Sequence, residues 1–297
     1  MLPVTRSVRT GVPERFLAAD RYRARREWDR YEGTPQRELL RRSRERFLQV
    51  NLRHAHRKFP RMLELGPGPG RFSPILARFT DRLLRIDVSR AMLKEARRHA
   101  PRGSPRADDR IADILGDAGQ LPLPSRSVPC VVALGNLLGF AGDRGPDVLD
   151  EISRTLTPRG MLVLETMNPP AQVPRFVHRM SVTEWRRTVH EAVGYRLITL
   201  LREGWERAPQ TLPRPTPSTF SFISPEEVVD WLDDLGFEIG DQMVTAPLLG
   251  GEPSLVAEIS RGRTEILEEI LRWEDYAGRR PEFLRWGGHT LTVARAP

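Results

Sequence analysis

The sequence predicts an α/β protein with a doubly wound, mostly parallel sheet, and three observations carry the prediction. From residue 61 onward, short apolar runs at 62–65, 83–86, 111–115, 130–134 and 161–164 alternate with helical patterns; strands that recur with helices between them indicate βαβ units. A glycine-rich turn, Gly66-Pro67-Gly68-Pro69-Gly70, stands directly at the end of the first run, the place where an open α/β sheet meets a ligand. The 297 residues, 39% hydrophobic and 29% charged, suffice for one large or two modest cores, which excludes a disordered chain or a fibrous repeat.

Taken in order, residues 14–58 are dense in Arg, Glu and Leu, with Leu40, Phe47, Val50 and Leu52 at helical spacing, and read as helices broken near Gly33-Thr34-Pro35. Ser89 is placed to cap a helix carrying Met92, Leu93 and Ala96. Val148, Leu149, Ile152 and Leu156 form the apolar stripe of another, with Pro158 and Gly160 as its stop signals. Residues 167–221 are proline-spotted and aromatic, with Phe176, Trp185, Tyr195, Trp205 and Phe220; too long for a plain loop, they read as an inserted lid. Ser224-Pro225-Glu226-Glu227 is a capping box with proline at the first helical position, followed by inward-facing Val228, Leu232 and Leu235 and ended by Gly236. A helical tail is expected over 264–276 and a last strand over 289–294. The expected boundaries are an N-terminal helical cap at 1–60, a core at 61–166, the lid at 167–221 and the remainder of the core at 222–297.

The formal net charge of +8 invites a nucleic-acid reading, but its distribution matters more than its size. Lys58 and Lys94 are the two lysines, so 45 of the 47 basic residues are arginine. Residues 1–61 hold 17 basic and 7 acidic side chains, a net of +10, which leaves −2 for the rest. The excess belongs to the N-terminal segment. Cys130 is the single cysteine and sits in an apolar run, and the six histidines form no ligand set, so no metal site is expected. No apolar run approaches the ~18 residues of a membrane span, and residues 1–20 lack the apolar centre of a signal peptide; a cytoplasmic location without membrane insertion is expected.

The glycine turn carries the chemistry. Its spacing is G-x-G-x-G, not the G-x-G-x-x-G of a dinucleotide loop, and Pro67 and Pro69 have no N–H to offer a phosphate. A ligand with an adenosine but no phosphate fits better. Asp87 ends the second strand, where its acceptor-only carboxylate can take two ribose hydroxyl protons. Gly116-Asp117-Ala118 follows the third strand and supplies a second acid, suited to an adenine amino group.

On these residues the stretch 61–166 resembles the class I S-adenosylmethionine-dependent methyltransferases, of the methyltransferase type 11 or type 25-like kind. The first motif of that family matches residues 63–70, its ribose acid matches Asp87 and its adenine-side motif matches Gly116-Asp117-Ala118. Leu121-Pro122-Leu123-Pro124 and Leu156-Thr157-Pro158-Arg159-Gly160-Met161-Leu162 match in order as well. The resemblance implies a Rossmann-like seven-stranded sheet whose last strand is antiparallel, with S-adenosyl-L-methionine as cofactor. It implies that Glu64, Gly66, Gly68 and Gly70 surround the methionine part, that Asp87 with Val88 serves the ribose, and that Asp117 and Ala118 serve the adenine. Leu134 and Asn136 fall where the fourth strand meets the transferred methyl group. The family's aspartate at the start of that strand is absent from Ser127-Val128-Pro129-Cys130.

Plainer readings stand beside several of these. Asn136 is equally a turn former after a strand. Glu64 lies in a strand that should be buried, where a carboxylate needs a partner. Asn168-Pro169-Pro170 is similar to the signature of amino-group methyltransferases, but it follows the fifth strand, not the fourth, and Ala171 stands where an aromatic belongs. His178, His190 and Tyr195 in the lid, and Tyr31 beside Trp28 and Asp29, are candidates for touching substrate; the catalytic group itself stays open. The expected function is methyl transfer to a small-molecule acceptor by in-line displacement. The alternatives are a tRNA or rRNA methyltransferase using the basic cap, and a non-catalytic regulatory protein that binds the cofactor. Nothing in the sequence indicates an oligomeric state.

Overall fold

The structure is a computed structural model, and it describes residues 20–29, 34–53, 58–100, 110–168, 223–249, 256–258, 261 and 263–297. Helices α1 (Asp20–Asp29) and α2 (Pro35–Arg53) precede β1 (Met62–Leu65), α3 (Ser73–Leu76), β2 (Leu83–Asp87), α4 (Arg90–Arg98) and β3 (Ile111–Leu115). The chain continues through β4 (Val128–Ala133), α5 (Leu137–Ala141), α6 (Gly145–Thr155), β5 (Leu156–Met167), α7 (Pro225–Asp234), β6 (Glu238–Val244), α8 (Thr264–Gly278) and β7 (His289–Arg295). The seven strands form one sheet in the order β3-β2-β1-β4-β5-β7-β6. Strands β1 to β5 pair in parallel, while β7 runs antiparallel to both β5 and β6. The strand expected at 289–294 is therefore the reversed last strand.

Both faces of the sheet are covered, which is why its strands read as continuous apolar runs and not as alternating ones. The two-residue period sorts their side chains. Leu63, Leu65, Val131, Ala133, Leu162 and Leu164 pack on one face against Val148, Leu149 and Ile152 of α6 and Val228 and Leu232 of α7. Met62, Cys130, Val132, Met161 and Val163 face the other way, onto Phe47, Leu48 and Leu52 of α2. A third cluster joins Leu39 of α2 to Leu267, Ile270 and Leu271 of α8. Helix α2 thus lies on the sheet as one of its covering layers. Val50, assigned to the apolar stripe by its spacing, points outward and is 44% exposed.

The end signals act where the sequence places them. Ser89 Oγ accepts from the N–H of Met92 at 3.0 Å. In α7 the capping box closes both ways: Ser224 Oγ accepts from Glu227 N–H at 3.2 Å, and Glu227 Oε2 accepts from Ser224 N–H at 2.6 Å. At its far end Phe237 N–H donates to Leu232 O and Gly236 N–H to Asp233 O, a Schellman pair that needs Gly236 at φ +74. The stop after α6 works differently from the expectation. The helix ends at Thr155, and Leu156 is already extended (φ −64, ψ 141) and opens β5. Leu156 still packs with Ile152, so its helical spacing reports a buried position and not a helical backbone. Pro158, Arg159 (φ +57) and Gly160 then bend the early strand, and the register with β4 jumps from Val128↔Leu156 to Cys130↔Met161.

The lid expected at 167–221 lies, from residue 169 on, outside the described residues. The chain leaves after Asn168 and returns at Ile223, whose N–H donates to Met167 O at 3.1 Å, so both ends of that segment stand at the carboxyl end of β5. Among the described residues no helix is long and apolar enough to cross a membrane.

Candidate functional site

The strand order reverses between β1 and β4, which opens a crevice above their carboxyl ends. The glycine turn enters it from β1. Gly66, Gly68 and Gly70 all adopt left-handed backbone, at φ +59, +53 and +80. Their surroundings differ. A Cβ on Gly70 would stand 2.7 Å from Ala96 Cβ and 2.8 Å from Ala96 Cα, so Gly70 allows the turn to close on α4. A Cβ on Gly68 would meet nothing within 4 Å, nor would one on Gly135 (φ +74), the first residue of the turn after β4. Gly68 and Gly135 therefore border open space, as a ligand cradle requires.

Asp87 stands at the tip of β2 and is tied to this turn. Its Oδ2 accepts from Gly68 N–H at 3.2 Å and its Oδ1 from Ser89 N–H at 2.8 Å. A carboxylate is acceptor-only, the chemistry that a ribose diol calls for, and the same group shapes the loop. Val88, half-buried, follows it. On the far side of β2, Asp117 is buried; its Oδ1 accepts from Gly119 N–H at 2.9 Å and its Oδ2 pairs with Arg144 Nη1 at 2.9 Å. Ala118 packs against the core beside it. Arg144 belongs to the turn that leads into α6, and no sequence pattern pairs it with Asp117.

Glu64 finds its partner behind the loop. It is buried in β1, and its Oε2 accepts from Ser73 Oγ at 2.7 Å. Burial pushes its carboxyl up to about 7, against the pull of the Ser73 hydroxyl and the Arg85 guanidinium. Arg85, buried in β2, continues the network: its Nη1 donates to Ser73 Oγ at 3.3 Å and Ala96 O at 3.1 Å, and its Nε to Asp113 Oδ1 at 2.7 Å on the neighbouring strand. The base of the glycine turn is thereby fixed to β2, β3 and α4.

Leu134 is buried after β4. Asn136 adopts φ +64 and is buried, and its Oδ1 accepts from Met167 N–H at 3.0 Å, tying β4 to β5. This geometry shows Asn136 forming the turn after β4. Asn168 donates its amide to Leu284 O at 2.8 Å and Gly287 O at 3.0 Å, which employs it in the fold. Near the glycine turn, Arg71 donates to Trp28 O and stacks over its ring at 4.7 Å, while Trp28 lies flat on His99 with ring centroids 3.4 Å apart. The end of α1 therefore arrives beside the loop. Tyr31, His178, His190 and Tyr195 lie outside the described residues.

One group escaped the sequence reading. Glu165 of β5 is fully buried, pairs with Arg44 of α2 at 2.6 Å, accepts from Gly135 N–H at 2.7 Å and lies 3.1 Å from His289 Nδ1. The signal was present: a lone acid in the apolar run Leu162-Val163-Leu164-Glu165 demands a partner as Glu64 does. Its partners come from 121 positions upstream and 124 downstream, and no local pattern points to them.

The model of the family described as a methyltransferase domain matches residues 63–164. The malonyl-[acyl-carrier protein] O-methyltransferase of Methylococcus capsulatus is 34% identical over 121 residues, 40% of this chain and 42% of that one. The ubiquinone biosynthesis O-methyltransferase of Xylella fastidiosa is 26% identical over 181 residues, 61% of this chain and 62% of its own. The chain thus spans less than two thirds of the length of these relatives. Among solved structures, the N-methyltransferase NodS of Bradyrhizobium japonicum in complex with S-adenosyl-l-homocysteine shares the fold, with a TM-score of 0.53 at 15% identity over 94% of this chain and 98% of that one. The glycine turn, the strand order and the reversed last strand agree with that match: residues 63–164 carry a methyltransferase domain, on the Rossmann-like sheet of the class I S-adenosylmethionine-dependent methyltransferases.

Proposed function

We propose that the chain binds S-adenosyl-L-methionine in the crevice above β1 and β4 and transfers its methyl group to an oxygen of a small-molecule acceptor. The observation that carries the cofactor site is the Gly68–Asp87 pair: an open-faced glycine whose N–H is held by an acceptor-only carboxylate at the tip of β2. The residues fit the group. Pro67 and Pro69 leave the loop short of donors for phosphate, Asp87 suits a ribose, and Asp117 stands one strand further out for the adenine side. When bound, the cofactor supplies an electrophilic methyl on a sulfonium, and the chain's own work is to hold the acceptor in line and exclude water. Oxygen is favoured as the accepting atom because the curated relatives are named as O-methyltransferases. The small-molecule reading is also supported by α2, where Arg41, Arg42, Arg44 and Arg46 lie against acids of this chain.

Isothermal titration of the full chain with S-adenosyl-L-methionine tests the cofactor site. Asp87→Ala is expected to weaken binding at least tenfold while the melting temperature stays within a few degrees; unchanged affinity overturns the assignment. Methyl-labelled cofactor offered with catechol, 4-hydroxybenzoate or malonate tests the acceptor reading, with label expected on oxygen.

A further inference from the structure

The turns after β2 and β3 stand side by side at the carboxyl ends of their strands. Asp87 pairs in register with Leu115, and Gly116 N–H donates to Asp87 O at 3.1 Å, which sets Asp117 next to the tip of β2. A third turn reaches them from α5, where Gly142, at φ +61, bends the chain and Arg144 follows just ahead of α6. From there Arg144 Nη1 donates to Asp117 Oδ2 at 2.9 Å, while Asp117 Oδ1 accepts from Gly119 N–H at 2.9 Å. The fit is close, since a Cβ on Gly119 would lie 3.5 Å from both Arg144 Nη1 and Asp117 Oδ1. Asp117 is buried, yet half of the Arg144 side chain is exposed.

The hydrogen-bonding capacity of this pair exceeds what the fold uses. A guanidinium carries five N–H donors in a rigid plane, and a carboxylate about four lone-pair sites. Among the described residues, Gly119 N–H and Arg144 Nη1 take one site on each oxygen of Asp117, and Asp117 takes one donor of Arg144. The pair therefore offers an acceptor and a donor next to each other. A side-chain amide offers the same pattern, and recognises adenine by accepting from its 6-amino group while donating to the ring nitrogen beside that group. Asp117 alone serves only half of this edge, because the ring nitrogen is itself an acceptor and a carboxylate has nothing to donate to it.

We propose that Arg144 is a further cofactor-binding residue, donating to the adenine ring nitrogen, N7 or N1, that flanks the amino group received by Asp117. The inference rests on the reading that S-adenosyl-L-methionine lies in the crevice with its adenine at Asp117. Arg144 keeps its bond to Asp117 in the bound state and turns a second donor to the base, and its exposed half is the part that the adenine covers.

Titration calorimetry on the full chain tests this with S-adenosylhomocysteine and its 7-deaza and 1-deaza analogues, each of which replaces one of the two ring nitrogens by C–H. The parent chain is expected to bind one of the two analogues about tenfold more weakly, the size of one hydrogen bond to a charged group. Arg144→Met is expected to weaken S-adenosylhomocysteine by about the same factor and to bind that analogue within about twofold of it, so that the two losses do not add. Where a lowered melting temperature shows that Asp117 without its counter-ion disturbs the fold, Arg144→Met with Asp117→Asn takes its place. The asparagine keeps an acceptor for Gly119 N–H and for the amino group, and the same indifference to the analogue is expected. Equal binding of all three ligands by the parent chain, or losses that add, overturns the proposal and leaves Arg144 as the counter-ion of Asp117 alone. Failure of the parent chain to bind S-adenosylhomocysteine overturns the cofactor reading itself.

Discussion

At the residue scale, three left-handed glycines in one turn do different work. Gly70 is pressed against Ala96, whereas Gly68 faces open space. Gly70→Ala is therefore expected to cost about 1–3 kcal/mol through overpacking, visible in urea unfolding, besides the strain of its φ. Gly68→Ala is expected to cost about 1 kcal/mol of stability but to lower affinity for S-adenosyl-L-methionine tenfold or more in titration calorimetry. Glu64 gives a pH prediction. Its carboxyl lies near 7 in the fold against 4.5 in the unfolded chain, so folding retains a proton there between those values. Stability from this group is greatest below about pH 4.5, declines as pH rises to about 7 and stays lost above, by roughly 3 kcal/mol at most. Glu64→Gln keeps an acceptor for Ser73 and is expected to flatten the fall in melting temperature between pH 5 and pH 8.

At the scale of elements, α2 is joined to the sheet by Phe47, Leu48 and Leu52 and by one buried ion pair. Removing one partner of such a pair leaves a charge without compensation in the interior. Arg44→Met is expected to destabilise the chain by about 3–5 kcal/mol in urea unfolding, and Arg44→Met with Glu165→Met by clearly less, since the apolar pair leaves no buried charge. The strands and the capped helix α7 were legible because period, caps and stop residues act within a few positions. Leu156 shows the limit of that legibility: its spacing is the same whether it closes a helix or opens a strand, and pairing with Val128 settles the matter. Val50 shows another, since helical spacing identifies a face but not how wide a stripe the sheet covers.

For the whole molecule, part of the positive charge of residues 1–61 is met by acids outside that segment, Glu268, Glu165 and Asp275, which face Arg42, Arg44 and Arg46. Along α2, Arg42 pairs with Glu38 at 2.6 Å and reaches Glu268 of α8, Arg41 pairs with Glu38 and Glu45, and Arg46 lies 3.3 Å from Asp275. Binding to a single-stranded oligouridylate is expected to be weak, with log affinity falling against log salt no more steeply than about −2, the value for about three phosphates. A slope steeper than about −4 in fluorescence anisotropy would restore the RNA methyltransferase reading. The sequence by itself determined the parallel sheet, the glycine turn and the acid at the tip of β2, because each is written within one strand and the turn that follows it. Only the tertiary structure decided which buried acid has which partner. It set Ser73 on Glu64, Arg144 on Asp117, and Arg44 and His289 on Glu165. Those partners lie 9 to 124 positions away, and a buried carboxylate states only that it needs a donor; the sheet order and the packing of α2 choose the one that reaches it.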